Sequence, residues 1–182
     1  MTADVVLVRH TQVARAWHSR CYGVSDAGLS RQGIAAIAPL AAELAARDPA
    51  WVVHSGLTRS TRLARRIAAH ARCALVADPG WRERDFGTWE GQSWAAIHRA
   101  TGNAMDGMID APDQFRPGGG ETTRALMDRA LAAWRGLPDG PGVVVTHGGP
   151  IASLIGHRRG LPVREWLDCV PAPGGMIVLA RD

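Results

Sequence analysis

The chain has 182 residues, of which 46% are hydrophobic and 21% charged, enough for one well-buried domain and cramped for two. No stretch approaches the ~20 apolar residues that span a bilayer, and no signal peptide is read at the start. The three cysteines, Cys21, Cys73 and Cys169, form no paired motif, so a cytoplasmic, reducing setting is expected. The net charge is +4 and every basic residue is an arginine, a balance that fits an anionic substrate. The arginines are scattered and no aromatic–basic motif accompanies them, so neither nucleic acid nor membrane is expected as a partner.

In chain order, Val5–Val8 reads as a short buried strand, and residues 11–29 as a loop. Ser30 is a good N-cap for a helix with Ile34, Ile37, Leu40 and Leu44 at helical spacing, kinked or split at Pro39. Trp51–Val53 is a second strand, Leu57 to Arg72 a helix with Leu63, Ile67 and Ala71 on one face, and Ala74–Val76 a third strand. Residues 77–91 are irregular, Trp94 to Ala100 is helical, and 102–120 is a loop-rich insertion. A helix from Glu121 to Trp134 turns Leu126, Ala130 and Ala133 inward. It leads to the strand Val143–Thr146, a helix from Pro150 to His157 with Pro at its first position, and a last strand Met176–Leu179. Trp81, Trp89 and Trp94 read as core. Strands separated by helices imply crossover connections: an α/β fold with a mostly parallel sheet covered on both faces, and a single domain over 1–182.

Two of these strands end in histidine, at Arg9-His10-Thr11 and at Thr146-His147-Gly148-Gly149. In open α/β sheets ligands sit beyond the carboxyl ends of the strands, and a helix N-terminus such as the one after His147 favours anions. Phosphate monoester hydrolysis needs a nucleophile, positive charge on the equatorial oxygens and a proton for the leaving oxygen. A neutral imidazole serves the first, arginine the second and a carboxylic acid the third. His10, Arg9, Arg59, Glu83 and His147 all fall just after strands that can share one edge. His18, His54, His70, His98 and His157 share no metal-ligand spacing, and no metal is expected. There is no Gly-x-Ser-x-Gly, Walker loop or GxGxxG.

Leu7-Val8-Arg9-His10-Thr11 resembles the signature of the histidine phosphatase superfamily, also called phosphoglycerate mutase-like. Leu29-Ser30-x-x-Gly33, Ser55-x-Leu57-x-Arg59, Glu83-x-x-Phe86-Gly87-x-Trp89-Glu90-Gly91, Gly119-Gly120-Glu121 and Thr146-His147-Gly148-Gly149 are similar to its further motifs, in order and over nearly the whole chain. The resemblance implies a three-layer α/β/α sandwich and a metal-independent phosphatase without a cofactor. It implies that His10 becomes a phosphohistidine, that Arg9, Arg59 and His147 hold the phosphoryl group, and that the Gly148 N–H adds a contact. Glu83 would protonate the leaving alcohol and then help water attack. Three positions depart from the pattern. Thr11 replaces the usual glycine and either touches phosphate or repacks the loop, Ala16 stands where many relatives have asparagine, and His54 stands where serine is common.

The partner implied is a small phosphorylated substrate, with the chain acting as a monomer or homodimer. Arg9-His10-Thr11 followed by Cys21-Tyr22-Gly23 and Ser25-Asp26 is similar to the α-ribazole phosphatase subgroup, which removes a 5′-phosphate in cobalamin synthesis. Other small or sugar phosphates stay open as substrates. A phosphoglycerate mutase is the rival reading, disfavoured because residues 102–120 are short for closing a pocket. A non-catalytic phosphate-binding module is the other, disfavoured because both His10 and Glu83 are present.

Overall fold

The computed structural model describes residues 4–181. Five strands, β1 (Asp4–Arg9), β2 (Trp51–His54), β3 (Ala74–Ala77), β4 (Gly142–Thr146) and β5 (Met176–Ala180), form one sheet in the order β3-β2-β4-β1-β5. The first four are parallel to their neighbours, and β5 runs antiparallel to β1 at the edge. Alternation along β1 builds two cores. Val5 and Leu7 point to one face, where they meet α5 (Thr123–Arg135) and α6 (Gly148–Arg158). Val6 and Val8 point to the other, where they meet α1 (Arg31–Ala45) and α2 (Thr58–Ala71). The expected three-layer sandwich and mostly parallel sheet are both present. A third, smaller cluster joins Cys21 and Trp89 to Ile97 of α3 (Trp94–Thr101).

The layering follows from the strand order. From β1 to β2 to β3 the chain steps in one direction, and right-handed crossovers put α1 and α2 on the same face. From β3 it returns to insert β4 between β2 and β1, which puts α5 on the opposite face. The connections leaving β1 and β4 therefore diverge to opposite sides of the sheet, and a crevice opens at their carboxyl ends.

Side-chain caps set three helix starts. Ser30, Ser93 and Thr122 accept from Gly33 N, Ala96 N and Ala125 N. The Thr122 cap places the start of α5 two residues later than the expected Glu121. Helix α6 begins two residues earlier than expected, because His147 is extended (φ −132°, ψ 172°) and Gly148 is already helical. Pro150 is thus its third residue, not its first. Helix α1 is not split at Pro39 but runs unbroken. Pro39 lies on the solvent side, where water can solvate the carbonyl that the ring leaves without a donor. Ile34 is exposed, not inward, since the buried face of α1 is Gly33, Ala41 and Leu44. Trp81 and Trp89 are core as expected, while Trp94 is half-buried against the third cluster. The 102–120 segment holds a four-residue helix α4 (Gly107–Asp110) and two short 3-10 turns. Among the described residues no helix is long and apolar enough to cross a membrane.

Candidate active site

His10 follows β1 directly and is buried. Its backbone N–H donates to Thr146 O of β4 at 3.0 Å, so it hangs on the last rung of the β1–β4 ladder. Its ring Nδ1 lies 2.8 Å from Thr11 O. A carbonyl only accepts, so Nδ1 carries the hydrogen and Nε2 keeps its lone pair. Burial above all, then the charge of Arg59 and more weakly that of Arg9, lowers the His10 pKa to about 3. The ring is a neutral imidazole at physiological pH.

His147 caps α6 and is fully buried, its ring centroid 5.1 Å from that of His10. Arg59 Nε donates to His147 Nδ1 at 3.2 Å. An arginine can only donate, so the hydrogen of a neutral His147 sits on Nε2 and goes to Ser55 Oγ at 2.8 Å. Ser60 Oγ donates onward to Leu57 O, which leaves Ser55 Oγ to donate to Ser60 Oγ at 2.7 Å. Burial first, and then Arg59, hold the His147 pKa well below its ordinary value. In this state both its ring nitrogens are engaged by the protein, and His147 orients Arg59.

Arg59 sits in the first turn of α2, as expected, with no exposed surface. Its guanidinium meets backbone carbonyls and no carboxylate: Nη1 donates to Ser25 O at 2.6 Å, and Nη2 to Gly23 O and Tyr22 O. Burial lowers its pKa, though an arginine stays charged. Arg9 Nη1 donates to Pro171 O at 2.9 Å, and its Nε is buried without a partner among the described residues. A Cβ placed on Gly148 would lie 3.7 Å from Arg9 Cζ, so Arg9 and the start of α6 flank one space. Thr11 is buried, and its Oγ1 has no partner among the described residues.

Glu83 reaches the same place from the irregular segment after β3. Its Oε1 accepts from Arg84 N at 2.9 Å and Gly149 N at 3.1 Å, and Oε2 also lies within reach of Gly149 N. Glycine at 149 leaves room for this contact, because a Cβ there would displace Glu83 Oε1. The Gly148 N–H, one residue earlier, has no acceptor among the described residues and is the free donor of this helix start. All seven residues singled out from the sequence, His10, Arg9, Thr11, Arg59, Glu83, His147 and Gly148, thus fall at one end of the sheet. His54 stands apart, its Nδ1 bonded to Gly56 N and Thr61 Oγ1.

Several supporting residues had no assigned role in the sequence. Ser55 and Glu90 lie inside quoted motifs, which was the available signal. Ser60 and Arg129 gave none. Arg129 pairs with Glu121 at 2.8 Å and donates to Gly80 O and Arg82 O, pinning the segment that carries Glu83. Thr146 Oγ1 donates to Trp81 O and ties that segment to β4. Among the described residues no cluster of His, Cys, Asp and Glu is arranged to hold a metal ion.

A fold and a site of this kind define the phosphatases and mutases that move phosphoryl groups through histidine. The chain belongs to the histidine phosphatase superfamily (branch 1), whose profile matches residues 5–182. It is 33% identical over 185 residues to glucosyl-3-phosphoglycerate phosphatase of Mycobacterium tuberculosis, covering 94% of this chain and 80% of that protein. It is 28% identical over 163 residues to a probable phosphoglycerate mutase, GpmB, of Proteus mirabilis, covering 87% of this chain and 76% of that one. Among solved structures, native mycobacterial glucosyl-3-phosphoglycerate phosphatase superposes with a TM-score of 0.82 at 28% identity, covering 97% and 89% of the two chains. YhfR of Bacillus stearothermophilus, at 22% identity, shares the fold with a TM-score of 0.89 over 99% and 92%.

Proposed function

We propose that this chain is a phosphomonoesterase that works through a phosphohistidine on His10. The observation that carries the reading is the neutral His10 imidazole, its Nε2 lone pair open, set between buried Arg59 and half-buried Arg9, neither of which forms an ion pair among the described residues. In the first step Nε2 attacks phosphorus, the bond from phosphorus to the ester oxygen breaks, and the leaving oxygen takes a proton from Glu83. In the second, water attacks phosphorus, Glu83 takes its proton, and the P–N bond breaks to restore His10. Arg9, Arg59 and the Gly148 N–H meet the equatorial oxygens, where developing charge is best stabilised by fixed donors. Thr11 Oγ1, buried and unpartnered, gains an acceptor when phosphate arrives. His147 holds Arg59 before substrate binds, and becomes a direct ligand on giving up that bond and taking a hydrogen on Nδ1, which it can then donate to a phosphoryl oxygen.

Hydrolysis is favoured over mutase transfer by residues 102–120, whose end lines one wall of a cavity of about 430 Å³ beside Glu83. That cavity also shapes the substrate reading. Arg82 and Arg116 line it and form no ion pair among the described residues, Arg129 there is paired with Glu121, and Glu83 and Asp85 are the remaining charged lining residues. No lining side chain is aromatic. The α-ribazole 5′-phosphate expected from the loop motif would bring a flat base with nothing to stack on, and none of the relatives above is named for it. A phosphate ester of a small polar alcohol that carries its own negative charge suits the cavity better. This agrees with the phosphoglycerate chemistry in the relatives' names.

The test of the mechanism is acid-sensitive trapping. Brief exposure to ³²P-labelled acyl or aryl phosphate, followed by alkaline denaturation, should leave base-stable, acid-labile label on a peptide containing His10. His10→Ala should take up none and lose turnover. Unlabelled native protein that still hydrolyses the substrate would overturn the covalent route.

A further inference from the structure

The peptide Tyr22–Ser25 lies between a buried cation and a carboxylate. On one side its carbonyls take the Arg59 guanidinium, with Ser25 O at 2.6 Å from Nη1, and with Gly23 O and Tyr22 O against Nη2. On the other side its amides go to Glu90. Oε1 accepts from Val24 N at 3.0 Å and from Phe86 N at 3.1 Å, while Oε2 accepts from Ser25 N at 3.0 Å and from Ser25 Oγ. We infer that Glu90 is a positioning residue for the phosphoryl site: it holds the Tyr22–Ser25 peptide as the template on which the Arg59 guanidinium is set. This rests on the phosphate role given to Arg59 above.

Three observations support it. First, Arg59 has little freedom left for phosphate to use. With one hydrogen to each acceptor, Nε is taken by His147, both Nη2 hydrogens by Tyr22 and Gly23, and one Nη1 hydrogen by Ser25. One N–H of five remains, and its direction follows from where the other four point. Second, no helix or strand runs through Tyr22–Ser25, so regular backbone pairing does not fix these carbonyls. Glu90 does, helped by Asp26, which accepts from Thr58 N at 2.9 Å and from Thr58 Oγ1 at the start of α2. Third, the peptide lies flush on its support. A Cβ at Gly23 would collide with Arg84 O and sit 2.7 Å from Glu90 Oε1. One peptide unit, Gly23–Val24, gives its carbonyl to the guanidinium and its N–H to the carboxylate, so it satisfies both charges at once, and each end depends on the other.

A carboxylate that merely stapled one loop to another would stabilise the fold without regard to Arg59, and the test separates the two. Inorganic phosphate binding is measured by calorimetry on the native chain, Glu90→Ala, Glu90→Gln, Arg59→Lys and the double variant of Glu90→Ala with Arg59→Lys. Circular dichroism and the melting temperature are recorded for each. Glu90→Ala should weaken phosphate binding about tenfold, the size of one lost charge-assisted hydrogen bond. Glu90→Gln keeps one acceptor oxygen for Val24 and Phe86 but loses the Ser25 N–H, so it should weaken binding by about threefold. It decides the matter if the alanine variant does not fold. Lysine has no fork to seat on the carbonyls, so adding Glu90→Ala to Arg59→Lys should cost less than about twofold more, because coupled residues are non-additive. Folded Glu90 variants that bind phosphate like the native chain would overturn the inference, as would a loss that recurs undiminished beside Arg59→Lys. Unchanged binding in Arg59→Lys alone would instead overturn the phosphate role of Arg59, and the inference with it.

Discussion

The surroundings that suit His10 to the proposed nucleophilic role also make it a liability in acid. With its pKa lowered to about 3 in the folded protein, chiefly by burial, and near 6.5 in the unfolded chain, the native state binds fewer protons between these values. Protonation therefore favours unfolding, and the stability present above pH 6.5 is lost progressively as pH falls toward the folded value. By pH 5 the loss from His10 alone is about 2 kcal/mol. His147, shifted in the same direction, adds to it. Urea unfolding of the native chain and of His10→Ala at pH 7 and pH 5 checks this. The native chain should lose about 2 kcal/mol more over that interval than the variant. Equal losses would mean that the imidazole is not held neutral.

At the scale of elements, α1 carries a defect it does not need for packing. Pro39 leaves a carbonyl without its helical donor and is exposed, so Pro39→Ala should restore the bond without disturbing the core. The expected gain is about 2 kcal/mol, a helix-interior proline penalty less the entropy the ring removes from the unfolded chain. Thermal unfolding would show it, and an unchanged or lower midpoint would mean that the solvent face of α1 is constrained by something else. The elements were legible wherever their cause was local. The valine runs, the Ser30 cap and the strand-ending histidines each act within a few residues, and their predicted positions held. The start of α6 was misplaced because the extended His147 is imposed by its bonds to Ser55 and Arg59, 92 and 88 residues away. Ile34 was misread because helical spacing defines an apolar stripe but not which side of it meets the sheet. Ser60 and Arg129 were silent for the same reason, and the role of Glu90 stayed hidden although its motif was quoted. A carboxylate, a hydroxyl or a guanidinium acquires a role only from partners the fold brings in, and for Glu90 those lie 65 and 66 residues back along the chain.

For the whole molecule, the reversal of strand order at β1 and β4 decides where chemistry can occur, and the segments after β3 and before α5 decide on what. Arg82, Arg116 and Glu83 come to one cavity from those segments. A leaving alcohol with its own carboxylate should therefore be preferred over a neutral alcohol of the same size. The matched pair 3-phosphoglycerate and glycerol 3-phosphate isolates that group. The ratio of their kcat/KM values should favour the acid by about tenfold, as two partly exposed arginine–carboxylate contacts would give. A ratio of one or less would assign the cavity to uncharged alcohols while leaving the phosphatase reading intact. The β1–β4 pairing has a consequence of its own. Arg9 lies opposite Thr146, and the next backbone bond, His10 N–H to Thr146 O, places the two imidazoles side by side. Their spacing is thus measured out by main-chain rungs and owes nothing to the identity of the valines beneath. Exchanging one core side chain for another leaves that gauge untouched. Inserting or deleting a single residue in either strand shifts it by ~3.3 Å and turns one ring to the other face, so this enzyme tolerates changes of spelling along its central strands far better than changes of length.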